Sequence, residues 1–173
     1  ALITNEGNLF GEEYTQAAAF DFMLDKKDGP CATNLSSSRV AEDVAHKYEQ
    51  TCHRSSVGEI NVVKKMQDVG AVIGGEGNGG VINPDLHYGR DALVGVAMIL
   101  QLLAERNLTS DEYRNSLPDY AMRKSKMQLA DVDGDAILEK ALELYQDYDP
   151  NTTDGVKIDF EDGWVHLRKS NTE

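Results

Sequence analysis

Two short stretches hold residues whose types and spacing could do chemistry. Residues 71–80 read AVIGGEGNGG, an apolar run that passes into five glycines, one glutamate and one asparagine. Gly75, Gly77 and Gly80 meet the G-x-G-x-x-G spacing of a dinucleotide-binding loop. That fingerprint also needs its last glycine to open a helix and an acidic residue about twenty positions on. Here VINPDLHYG follows, Pro84 opposes a helix start, and the later position is Leu100. Glu76 argues further against a phosphate cradle, since two like charges ~4 Å apart repel by about 4 kcal/mol at intermediate dielectric. The same carboxylate suits a neutral sugar, because each oxygen can accept from one of two vicinal hydroxyls. Gly77 and Gly79 let the backbone approach a flat polar ligand, and Asn78 adds a donor and an acceptor. Residues 76–79 therefore predict a sugar-binding loop, with a tight turn carrying an exposed glutamate as the alternative.

The second stretch is the C-terminal DGWVHLRKSNTE. Strand alternation places Arg168 at the end of the final strand, on the face opposite Val165 and Leu167. Ser170, Asn171 and Thr172 follow in a predicted turn. A guanidinium that can bind phosphate bidentately, with hydroxyls, an amide and backbone N–H groups beside it, makes an oxyanion cradle. An ordinary polar hairpin exit is the alternative. A third cluster, Asp131, Asp133 and Asp135 in DVDGDA, fails as an EF-hand: its glycine is at the fourth place and Leu142 stands at the twelfth. It reads as helix capping, and no metal ligand is assigned within the chain.

The elements that must position these residues follow from periodicity. ALIT reads as a strand, and residues 12–25 as a helix with Tyr14, Ala17, Ala18, Phe22 and Leu24 near one face. CATNL is a second strand, and serines 36–38 offer an N-cap for a helix to about Tyr48. A third strand lies near CHR. VGEINVVKKMQDVG is a helix with Ile60, Val63, Met66 and Val69 inward, closed by Gly70. AVIG is a fourth strand. RDALVGVAMILQLLAERN is apolar nearly all round, which predicts burial on most sides. After a short capped helix, TSDEYRNSL, come a strand-like YAMRKSKMQL and a helix over 134–148 with Ile137, Leu138, Ala141, Leu142, Tyr145 and Tyr148 on one face. VKIDF and WVHLR, joined by an Asp162-Gly163 turn, complete a hairpin. The fold class is α/β: an α/β/α sandwich over 1–108, a connector over 109–118, and a small partial α+β domain over 119–173.

The 173 residues carry a net charge of −13, and 40% are hydrophobic. Such acidity excludes a nucleic-acid or anionic-membrane surface, because phosphate neutralisation needs basic patches. The longest apolar stretch, ALVGVAMIL, is too short to span a bilayer. Cys31 and Cys52 have no metal-like spacing and read as buried free thiols of a reducing, cytoplasmic compartment. No signal peptide is visible. The chain opens on Ala1 in a strand-like segment and stops at Glu173 without a tapering tail, which reads as a piece of a longer protein.

These segments together resemble the α-D-phosphohexomutase superfamily, enzymes that move phosphate between C1 and C6 of hexoses. GGEGNGG is similar to the sugar-binding loop of the family's third domain, and DGVKIDFEDGWVHLRKSNTE to the phosphate-binding loop of its fourth and the strands before it. SSVGEINVVKKM resembles the helix upstream of the sugar loop, and ALITNEGNLFGEEY the strand after the family's metal loop. Lys169 stands where the phosphate loop often has proline, Ser56 where several subgroups have lysine, and Gly80 where others have histidine. The resemblance implies a phosphoserine enzyme and a bisphosphate intermediate, interconverting hexose 1-phosphate and hexose 6-phosphate. It implies Glu76, Asn78, Gly77 and Gly79 at the sugar and Arg168, Ser170, Asn171 and Thr172 at the phosphate. The T-x-S-H-N-P serine loop does not occur in this chain, and Mg²⁺ ligands are expected upstream of Ala1. Hexose phosphates and the missing N-terminal domains are the implied partners, and no catalytic residue is assigned here. A stand-alone phosphosugar-binding module is the alternative, and a nucleotide-binding oxidoreductase fragment a distant third.

Overall fold

A computed structural model describes residues 2–128 and 132–169. Contacts divide the chain into two compact units, residues 1–122 and 123–173. In the first, helix α1 (Glu12–Leu24) precedes strand β1 (Cys31–Asn34), α2 (Val40–Lys47), β2 (Cys52–Ser55), α3 (Glu59–Val69), β3 (Ile73–Glu76), β4 (Gly80–Ile82), α4 (Ala92–Arg106) and α5 (Ser110–Ser116). The sheet order is β2-β1-β3-β4, with β1 parallel to β2 and β3, and β4 antiparallel at the edge.

Successive strand residues face opposite sides of the sheet, and two cores form accordingly. Cys31, Ile73 and Val81 join α1, α2 and α4 in one core. Ala32 and Ile82 join Val62 and Met66 of α3 in the other. The first unit is therefore a three-layer α/β/α sandwich with β1 buried along its whole length. Cys31 and Cys52 are free thiols side by side in the β1–β2 register. The hydrogen bond with Cys52 and burial push the Cys31 thiol up.

Several expectations need correction. ALIT contributes only an isolated bridge, Ile3 to Leu9, because nothing continues the pairing. Helix α1 is buried nearly all round, with Gln16 and Asp21 inside. Asp21 is 1% exposed and joins the helices: Arg106 of α4, Lys47 of α2, Tyr48 and Tyr113 of α5 all donate to it. Burial alone would raise its carboxyl, but these donors hold it down at about 2. Helix α2 starts after Arg39 without a side-chain cap. In α3 the inward stripe is Val62 and Met66, and Ile60 is 79% exposed. Gly70 does close α3 in the left-handed conformation. Helix α4 buries only Gly95, Met98, Ile99 and Leu102, leaving Leu93, Val96 and Leu100 exposed along its other face. Helix α5, inside the span read as a connector, packs into this unit through the buried Tyr113.

The second unit holds α6 (Gly134–Leu144), a 3₁₀ turn (Gln146–Tyr148), and the antiparallel strands β5 (Val156–Phe160) and β6 (Gly163–Leu167). Its core is small: Ala141, Val156 and Ile158, flanked by Leu138 and Phe160. Tyr145 and Tyr148 meet Phe160 edge-on, with ring centroids 6.0 and 5.0 Å away. Residues 121–128 form no strand, contrary to the alternation in YAMRKSKMQL. Of the face expected on the last helix only Ala141 is fully buried, since one short hairpin cannot cover the remainder. Phe160 pairs with Gly163, so the hairpin turn is Glu161-Asp162, one residue earlier than expected.

Candidate functional site

The parallel strands β1, β2 and β3 end at Asn34, Ser55 and Glu76. Their carboxyl edge is where open α/β sheets bind ligands. Beyond Glu76 the chain turns through residues 77–79 and returns directly as β4, with Glu76 paired to Gly80. Gly79 takes φ +86 and its N–H donates to the Glu76 carbonyl at 3.0 Å. The segment is a tight β-hairpin, and a strand stands where a dinucleotide fingerprint needs a helix. Gly77 lies close against α1: a Cβ there would lie 2.2 Å from the Glu13 carboxylate, which would have to swing aside.

Glu76 is buried, only 5% exposed. Its Oε1 accepts from Asn34 Nδ2 at 2.9 Å and from the Gly58 N–H at 3.2 Å. Its Oε2 accepts no hydrogen bond from a described residue, and Arg90 Nη1 stands 3.8 Å away. A buried relay supports this arrangement. Gln16 Nε2 donates to Thr33 Oγ1 at 2.7 Å, and Thr33 Oγ1 to Ser37 Oγ at 2.8 Å. Ser37 Oγ donates to Asn34 Oδ1 at 3.1 Å and accepts from the Gly77 N–H at 2.8 Å. The Thr33 and Ser37 hydroxyls of this relay thereby both give and receive, and Gln16 Oε1 at its far end is a buried atom with no partner among the described residues.

Asn78 is exposed, and its Oδ1 accepts from the Gly80 N–H at 3.1 Å. Its amide nitrogen is the group left for a ligand. An open depression of about 570 Å³ lies beside the hairpin, lined by Glu59, Asn78, Gly79, Gly80, Arg90 and Asp91 among others. Glu59 is lowered by the Arg90 backbone N–H and side chain. Asp91 is lowered by the Val94 N–H it caps at the start of α4 and by His87.

In the second unit Arg168 directly follows β6 and is exposed, with Nη1 3.4 Å from the Lys169 carbonyl. Gly155 presses against this exit: it takes φ +76, and a Cβ there would lie 2.2 Å from the Leu167 carbonyl oxygen. Ser170, Asn171 and Thr172 lie outside the described residues. Asp133 caps α6 by accepting the Asp135 N–H at 2.9 Å, and Asp135 accepts from Lys169 Nζ at 2.8 Å. Asp131 lies outside the described residues, and no group of three His, Cys, Asp or Glu could hold a metal ion among those described. With Asp133 and Asp135 engaged in this way, the described residues do not fit a Mg²⁺ site. No single described helix is long and apolar enough to cross a membrane.

Reading the sequence did not find Asn34, Ser37, Glu13, Glu59 or Arg90. The serine-rich turn after CATN was a usable signal for the first two, because a strand of a parallel sheet that ends in polar residues presents them at the binding edge.

The fold and the carboxyl-edge hairpin define a sandwich domain of the kind that carries a small-molecule site. Residues 11–120 match the family described as phosphoglucomutase/phosphomannomutase, alpha/beta/alpha domain III. The chain belongs to this phosphoglucomutase/phosphomannomutase family. It is 35% identical, over 99% of its length, to the phosphoglucomutase/phosphomannomutase of Thermococcus kodakarensis. It is 37% identical, over 82% of its length, to a phosphoglucosamine/phosphogalactosamine mutase of Sulfurisphaera tokodaii. It covers 38% and 32% of these two relatives. The fold matches the crystal structure of a phosphoglucomutase/phosphomannomutase family protein from Burkholderia thailandensis with a TM-score of 0.78 at 22% identity, over 99% of this chain and 37% of that one.

Proposed function

We propose that this chain is the sugar-binding and phosphate-binding part of a phosphohexomutase. The longer protein would interconvert hexose 1-phosphate and hexose 6-phosphate in the cytoplasm through a phosphoserine and a bisphosphate intermediate. Phosphoserine and Mg²⁺ would be supplied by other segments of that protein, so this chain alone should show no turnover. Glu76, Asn78, Gly77 and Gly79 would hold the ring hydroxyls, and Arg168, Ser170, Asn171 and Thr172 the phosphate.

The observation that carries the reading is Glu76. A carboxylate buried at a sheet's carboxyl edge, anchored through one oxygen with the other open, is prepared to accept from a hydroxyl. The test is an amide NMR titration of the isotope-labelled chain with glucose 1-phosphate and with inorganic phosphate. Glu76→Gln should weaken the sugar phosphate and leave inorganic phosphate unchanged. Arg168→Ala should weaken both, by about tenfold for a charge-assisted contact. No glucose 1-phosphate shift in residues 76–80 would overturn the sugar assignment, and turnover above a buffer blank would overturn the division of labour.

A further inference from the structure

Arg90 is the only cation among the residues lining the depression beside the hairpin, where Glu59 and Asp91 also stand. Its position is fixed from both ends. The backbone bridges Ile82, and its N–H donates to Glu59 Oε1 at 2.9 Å, while Nε donates to Glu59 Oε2 at 2.8 Å. The stem crosses Gly80 so closely that a Cβ at 80 would lie 2.5 Å from Arg90 Cδ and 3.1 Å from Cγ. Gly80 is not in a left-handed conformation, so the backbone alone does not demand glycine there. The arginine stem does.

Arg90 Nη1 ends 3.8 Å from Glu76 Oε2, the oxygen that no described residue donates to. An acceptor and a donor at that spacing can bracket a vicinal diol, with one hydroxyl donating to the carboxylate and its neighbour accepting from the guanidinium. We propose that Arg90, admitted by the bare Cα of Gly80, is a second sugar-binding residue, paired with Glu76 across two adjacent hydroxyls of a hexose phosphate. The pairing rests on the reading of Glu76 as a sugar contact.

The test uses the same titration on Arg90→Met, Arg90→Lys and Gly80→Ala, with thermal melts to confirm folding. Arg90→Met should raise the Kd for glucose 1-phosphate by about fivefold or more and leave that for inorganic phosphate unchanged. Arg90→Lys keeps the charge without the fork and should fall between. Gly80→Ala displaces the stem by one methyl and should reproduce Arg90→Met, which keeps the inference testable should Arg90→Met fold poorly. Unchanged sugar-phosphate binding in Arg90→Met or Gly80→Ala, while Glu76→Gln still weakens it, overturns the pairing and spares the role of Glu76. Equal weakening of inorganic phosphate in Arg90→Met makes Arg90 a general anion contact and also overturns the pairing. Absence of sugar-phosphate shifts in the unmodified chain overturns both readings.

Discussion

The glycine hairpin and the C-terminal hairpin are both short antiparallel turns, yet they are built differently. The first is held by a buried relay from Gln16 to Glu76 and is closely approached by the Glu13 carboxylate and the Arg90 stem. The second leaves Arg168 and Lys169 exposed at the end of β6, over a core of Ala141, Val156 and Ile158. A functional group at the carboxyl edge of a parallel sheet inherits its position from three strands and two layers of helices. A group at the exit of a hairpin has only its own strand pair. Precision at a site therefore follows the number of elements that meet there.

Four substitutions sharpen or break that contrast. The largest effect is expected of Asp21→Asn, which removes the charge joining α1, α2, α4 and α5 and strands Arg106; about 3 kcal/mol should be lost. Trp164, the only tryptophan, lies in β6, so its fluorescence follows the second unit while far-UV circular dichroism follows mainly the helices of the first. Urea unfolding of Asp21→Asn should move the dichroism transition and leave the fluorescence transition in place. Coincident shifts in both would mean that the two units unfold together. The same carboxylate sets an acid limit. Its native value of about 2 lies below the ordinary 3.8, so its contribution is complete above about pH 4 and lost as pH falls towards 2. That loss amounts to about 2–3 kcal/mol at the first unit and should be missing in Asp21→Asn.

Gly155→Ala places a methyl against the Leu167 carbonyl at a left-handed φ and should cost ~1–3 kcal/mol in the second unit. The Trp164 transition should shift, with amides 76–80 unmoved. Ser37→Ala is the mirror experiment. It deprives the buried Gly77 N–H of its acceptor, at a cost of ~1–3 kcal/mol, and should perturb amides 76–80 while leaving Trp164 unchanged. Lys169→Ala breaks only an exposed pair with Asp135 and should leave both transitions within error.

Much of this was legible in the sequence. Helices over 12–24, 59–69 and 92–106 and the strands between them follow from periodicity, and Glu76 declared itself by standing among glycines. Side selection was harder. Ile60 and Val62 are both apolar, and only the sheet decides which one is covered. Helix α4 is apolar on all sides, so its pattern could not foretell that Leu93, Val96 and Leu100 are left uncovered. YAMRKSKMQL alternates like a strand, but its described residues, 120–128, find no edge to pair with. Arg90 escaped notice because its importance lies in a vacancy, the missing Cβ of a residue ten positions earlier. Periodicity describes what a residue presents, and it does not register the room that a neighbour leaves.

Asp21 has a consequence for how this sequence can drift over generations. Its carboxylate answers a guanidinium, an ammonium and two phenols that come from positions 47, 48, 106 and 113. Losing the carboxylate first leaves the Arg106 guanidinium without its anion, whereas losing Arg106 first leaves a carboxylate that is 1% exposed with only Lys47 and two phenols to answer it. Either single step costs more than the double step, because removing the whole charged group in favour of apolar residues of similar volume can be nearly neutral. Positions 21 and 106 should therefore change as a pair among related sequences, with the phenols at 48 and 113 following. The cluster behaves as one heritable character spread over four separate segments of chain.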